Sequence, residues 1–150
     1  MTIQDQVMLA IAIWKENRGG GHDGMQSVAN VICRRSVNED KSIWEVCTDP
    51  GQFSPITVKG DPELTSWAKR KNTSDYLMWL LALSIAEQAA NGTLLDITGG
   101  ADLYYAPSSI ETTKTFTLPS GTAIPFPEDW NSNVVTYTGT VQHQVFFRSR

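Results

Sequence analysis

The chain has 150 residues, 41% of them apolar and 19% charged, with a formal net charge of −4. That length suits one domain with a real core, and the balance is that of an ordinary globular chain. The acidic charge excludes the basic footprint of a nucleic-acid binder and gives no strong pull toward anionic membranes.

The first expected helix runs from Thr2 to Glu16. Thr2 can cap it, and Asp5 falls in its first turn. Its second half, Met8 to Trp14, is apolar on every side, the pattern of a helix buried all round. The glycines Gly19 to Gly21 read as a C-cap and turn. A second helix is expected over Gly24 to Ser36, with Met25, Val28, Ala29 and Ile32 on one stripe. "DPEL", Asp61 to Leu64, reads as a helix start, with an acidic cap and Pro62 in the first turn. A long helix follows from Ser74 to Ala90, stopped by Asn91–Gly92. Its apolar run, Leu77 to Ala86, is too short to span a bilayer.

Beyond Gly92 the texture changes. "TFTLPSGTAIPF" and "VVTYTGTVQHQVFF" carry β-branched and aromatic residues punctuated by Gly and Pro, and read as antiparallel strands. In the second run Val141, His143 and Val145 alternate with Gln142, Gln144 and Phe146. Helices followed by strands make the class α+β, in one domain over residues 1–150.

One residue stands out chemically. Glu16 follows Ile13, Ala12 and Leu9 at helical spacing, so it continues an apolar stripe. If the helix is central, a carboxyl group there emerges at the wall of a cavity and not on a solvated face. Desolvation and the negative end of the helix dipole both raise its pKa, whereas the nearby Arg18 opposes them. An acid kept protonated near neutral pH can serve as a general acid. On these features alone, a frayed helix end with no role is the favoured reading, because apolar helices often end in a charge.

The two cysteines, Cys33 and Cys47, make no disulfide framework, and with His22 and His143 they match no zinc motif. Cys33 lies within a helical apolar pattern, where cysteine behaves as a small hydrophobe. The spacing leaves a disulfide between the two open. A cysteine peptidase or amidase is the competing enzyme class, but neither cysteine sits in a recognisable nucleophile motif. Met1 to Asp5 lacks the basic region of a secretory signal, and no small-residue cleavage site follows the apolar stretch, so synthesis in the cytoplasm without a signal peptide is expected.

Four stretches, taken in order, carry a resemblance. They are "ENRGGGHDGMQSVANVICRRS", "PGQFSP" (Pro50 to Pro55), "TGGADLYYA" (Thr98 to Ala106) and "GTVQHQVFFR" (Gly139 to Arg148). Together they resemble the cell-wall hydrolase family that includes the spore cortex-lytic enzyme SleB. That family reads E-A-R-G-E…G…A-V-A-x-V-x-x-N-R, then G-Q-F-S, then T-G-G-A-x-x-Y-x-A, then G-x-H-x-F-Y. Here Asn17 stands for Ala, Gly20 for the second Glu, and Phe147 for Tyr.

The resemblance implies a lysozyme-like helical lobe with a small antiparallel β-sheet lobe. It implies cleavage of peptidoglycan glycan strands between N-acetylmuramic acid and N-acetylglucosamine, with Glu16 on the family's catalytic glutamate. Without the second acid, a lytic transglycosylase needing one carboxyl group fits better than a two-carboxylate glycosidase. A hydrolytic muramidase with the same site and a non-catalytic wall-binding module are the alternatives. The substrate-binding residues expected are Arg18, Gln52, Phe53, Ser54, Thr98, Gly99, Gly100, Tyr104, Tyr105 and His143. Gly99 and Gly100 would let backbone approach a sugar closely, or form a turn. Neither a metal nor a cofactor is expected, and the chain is expected to act as a monomer on the cell wall. Release through a holin as a phage endolysin fits this economy, with a virion lysin or a bacterial remodelling enzyme left open.

Overall fold

The computed structural model describes residues 1–50, 53 and 74–150. The expected helix start at Asp61 to Leu64 lies outside the described residues. So do two expected site residues, Gln52 and Ser54.

The first helix, α1, spans Ile3–Asn17. Thr2 caps it: the Thr2 hydroxyl accepts from the Asp5 N–H, and the Asp5 carboxylate accepts from the Thr2 N–H, a reciprocal capping box. The other oxygen of the Asp5 side chain accepts from the Trp44 N–H at 3.0 Å, so the cap also ties down the start of a neighbouring helix. A 3₁₀ turn, Arg18–Gly20, leads into α2, Gly21–Asn38. A short α3, Ile43–Thr48, has its own capping box between Ser42 and Glu45. The long helix α4 spans Ser74–Ala90. Gly92, at φ +70°, follows α4, as the Asn91–Gly92 stop requires.

Helix α1 is the central element, packed on α2, α3 and α4. This explains its all-round apolar second half: Leu9, Ala10, Ala12 and Ile13 are fully buried. They join Met25, Val28 and Ile32 of α2 and Ala82, Ile85 and Ala86 of α4 in one core. The indole N–H of Trp14 donates to the Asp75 carbonyl at 3.0 Å, fixing the end of α1 to the start of α4. Among the described residues, no helix is long and apolar enough to cross a membrane.

The strands are β1 (Leu103–Tyr105), β2 (Thr115–Thr117), β3 (Ala123–Pro125), β4 (Val135–Val141) and β5 (Gln144–Ser149). They form an antiparallel three-stranded sheet in the order β1-β5-β4 and a separate antiparallel pair, β2-β3. The fold is therefore α+β, a helical region carrying a small antiparallel sheet. Period-two alternation gives the sheet two different faces. On one face Phe146 packs with Val31 of α2 and Ala101 and seats the sheet on the helices. On the other, Tyr105, Val145 and Phe147 join Phe126 and Val135 in a second, largely aromatic core.

His143 is not a strand residue as expected. Val141 pairs directly with Gln144, so Gln142 and His143 are the two residues of a tight hairpin turn. Gln142 takes φ +55°, the sign that such turns demand.

Candidate active site

Glu16 occupies the last turn of α1, half-buried where the apolar stripe meets the sheet. Its partner comes from β1. Tyr104 pairs across the ladder with Phe146, and their rings stack at 5.7 Å between centroids. Because Phe146 faces the helices, Tyr104 does as well, and its phenol donates to Oε2 of Glu16 at 3.4 Å. Tyr105, one residue on, must point the other way. Its ring stacks on Phe147 at 5.9 Å and meets Trp130 edge-on at 5.4 Å, and its hydroxyl donates to the Pro125 carbonyl at 2.8 Å.

Around Glu16 and Tyr104 lies a cleft of about 430 Å³. Phe53, Arg35, Gln144, Ser109 and Trp130 line it further, together with Leu103, Tyr105 and Ala106. Phe53 is fully buried and belongs to the helical core, so it offers the cleft only an apolar wall. The Arg35 guanidinium lies 5.9 Å from the Phe53 ring, and its Nε donates to the Asp102 carbonyl at 2.6 Å. Among the described residues that line the cleft, Glu16 is the sole carboxylic acid.

Desolvation raises the pKa of Glu16 above the ordinary carboxylate value, against the Tyr104 hydrogen bond and the charge of Lys15. The opposing cation is thus Lys15, not the Arg18 expected from sequence. Arg18 lies over the Trp14 ring at 4.4 Å and pairs with Asp75 at 3.5 Å. Burial and the charge of Glu16 push the Tyr104 phenol up, with Arg35 opposing, so it remains a protonated donor.

The expected site residues separate into groups. Glu16, Phe53, Tyr104 and Tyr105 meet at the cleft, although the Tyr105 hydroxyl is committed to Pro125. Arg18 and His143 lie on the other flank of Glu16, in a shallow groove shared with Lys15, Asn17 and Gly19. Thr98, Gly99 and Gly100 do not line the cleft. They form a turn around Asp96, whose carboxylate accepts from the Thr98 N–H and hydroxyl and from the Gly100 N–H. Both glycines have positive φ, and a Cβ on Gly99 would meet the Thr138 side chain at 3.3 Å. The close backbone approach seen there is to strand β4.

Arg35, Ser109, Trp130 and Gln144 line the cleft and were not expected from sequence. For Gln144 a signal existed. With Phe147 at the tyrosine of G-x-H-x-F-Y, counting back puts Gln144, not His143, at the histidine. The same register puts the motif's glycine on Gln142, the residue with φ +55°. The other departures from the family pattern are also linked. A Cβ on Gly20 would lie 2.6 Å from Oδ1 of Asn17, so a larger residue at position 20 would require the Asn17 side chain to move.

The cysteines are both free thiols, Cys47 within the helical core and Cys33 packed against it. Burial pushes Cys33 up to about 11 and Cys47 up to about 12, which makes both poor nucleophiles at neutral pH.

A family model described as Cell Wall Hydrolase matches residues 19–147. The match takes in Tyr104 and Gln144 and begins just after Glu16. Comparison with curated proteins and with solved structures gave no match.

Proposed function

The chain belongs to the cell wall hydrolase family, and from that premise we propose that it cleaves peptidoglycan glycan strands between N-acetylmuramic acid and N-acetylglucosamine, as a single-domain lytic transglycosylase with Glu16 as its one catalytic acid. The observation that carries this reading is the half-buried Glu16, raised in pKa and bonded to Tyr104, at a cleft whose described lining holds no second carboxyl group.

The chemistry follows from that arrangement. Glu16, protonated, donates its proton to the glycosidic oxygen as the bond from that oxygen to C1 of the muramoyl residue breaks. Positive charge develops at C1 and the ring oxygen, and the Glu16 carboxylate now faces it. The C6 hydroxyl of the same muramoyl residue attacks C1 and returns its proton to Glu16. One C–O bond breaks, one forms, and no water is consumed. Tyr104 engages Oε2 and leaves Oε1 to address the substrate. Trp130, half-buried at the cleft, supplies apolar surface for the face of a sugar ring.

Dye release from labelled peptidoglycan tests the enzymatic reading. Wild-type protein is expected to release dye, and Glu16→Gln to lose 10²-fold or more of that activity, roughly the contribution of general-acid catalysis. Binding without release by the wild type would instead assign a wall-binding module.

A further inference from the structure

Gln144 opens β5 on the same face as Phe146, and the residue is 8% exposed. Its Oε1 accepts from Nδ2 of Asn17 at 2.8 Å. Asn17 is buried in turn, and glycines make room for its amide: a Cβ on Gly20 would lie 2.6 Å from Oδ1, and one on Gly24 would lie 2.8 Å from Nδ2. The Asn17 amide, seated where glycine leaves space for it, holds the oxygen end of Gln144. Among the described residues, that bond is the sole hydrogen bond of the Gln144 side chain. Nε2, with two N–H donors, has no acceptor there, and Gln144 lines the Glu16 cleft.

A nearly buried amide with its oxygen fixed and its nitrogen unmatched is suited to an acceptor on a ligand. It carries no charge, so a neutral acceptor suits it. We propose that Gln144 is a substrate-positioning residue, whose Nε2 donates to an N-acetyl carbonyl oxygen of the glycan beside Glu16 while Asn17 holds the amide from behind. The inference rests on the reading of this cleft as a glycan site. Of the neutral oxygens on such a strand, the N-acetyl carbonyl is an amide acceptor and is distinct from the hydroxyls that any sugar offers. Gln144 would therefore confer a preference for N-acetylated strands.

The test measures kcat and KM for Gln144→Ala, Asn17→Ala and the double variant, with thermal unfolding. The substrates are N-acetylated peptidoglycan and the same material chemically de-N-acetylated. On the acetylated substrate, Gln144→Ala is expected to lower kcat/KM about five- to tenfold, the worth of one neutral hydrogen bond. On the de-N-acetylated substrate it is expected to change little. The double variant should be no worse than Gln144→Ala, because the two residues act as one unit. Gln144→Met keeps the bulk and decides the matter if the alanine variant does not fold. An unchanged kcat/KM on acetylated strands, or an equal loss on both substrates, overturns the proposal. Glu16→Gln runs beside it: if that variant stays active, the cleft reading itself has failed, whereas an inactive Glu16→Gln with a fully active Gln144→Ala defeats this inference alone.

Discussion

The Tyr104 phenol oxygen and Oε2 of Glu16 lie 3.4 Å apart, joining residues 88 positions apart across the seam between helix α1 and strand β1. The phenol donates, so it stabilises the ionised carboxylate, while desolvation works against that form and prevails. Tyr104→Phe removes the donor and leaves the desolvation. The pKa of Glu16 then rises further, and because the acid form is the active one, the alkaline limb of kcat moves to higher pH than in the wild type. A pH series of kcat checks this; a limb that stays put or moves to lower pH contradicts it.

Tyr105→Phe is expected to behave differently. It leaves the Pro125 carbonyl without its donor and costs about 1 kcal/mol of stability. Activity per folded molecule should stay close to wild type, since the ring is kept. Denaturant unfolding and activity on the same preparation separate the two effects. Lost turnover at unchanged stability would return the Tyr105 hydroxyl to the cleft chemistry.

The raised pKa of Glu16 is also a statement about stability. Its folded value lies above its unfolded value, so ionising it costs the folded chain more than the unfolded one. The penalty is absent below the unfolded pKa, grows through the interval between the two values, and is complete above the folded one. Glu16→Gln cannot ionise there. Its stability relative to wild type should therefore increase as pH rises through that interval, as followed by thermal unfolding across a pH series. A difference that is flat, or that shrinks with rising pH, would show that burial does not govern this carboxyl group.

The buried thiols give a prediction about reagents. With pKa values near 11 and 12, Cys33 and Cys47 should resist iodoacetamide at neutral pH, and lytic activity should survive both it and EDTA. The double variant Cys33→Ala, Cys47→Ser should remain active in its folded fraction. Loss of lysis in a folded variant, or on adding EDTA, would replace the glutamate mechanism with a thiol or metal one.

Much of the fold was legible because its signals are local. The Thr2 cap, the apolar run to Trp14 and the Asn91–Gly92 stop place α1 and α4 almost residue for residue. The place of Glu16 was legible for the same reason, since helical spacing puts it in line with an apolar stripe, whereas its candidacy as an acid came from the resemblance. The choice between Tyr104 and Tyr105 was not. Alternation says that they point apart, but which face meets the helices is decided by Phe146 packing on Val31 and Ala101, contacts remote in sequence. His143 was misplaced because continued alternation hides a two-residue turn, and the turn's positive φ falls on a glutamine where glycine would have announced it. The Thr98–Gly100 motif signalled close backbone approach, but not that the approach seen in the fold is to Thr138 of β4, because such a signal does not name the approaching partner.

Whether Glu16 releases the strand by transglycosylation or by hydrolysis is written in the products. Wild-type protein would digest purified peptidoglycan in water enriched in heavy oxygen, with the muropeptides weighed by mass spectrometry. Transglycosylation predicts 1,6-anhydromuramoyl ends, one water lighter than reducing ends and without heavy oxygen. Reducing-end muramic acid carrying heavy oxygen at C1 would contradict it and make the enzyme a hydrolytic muramidase.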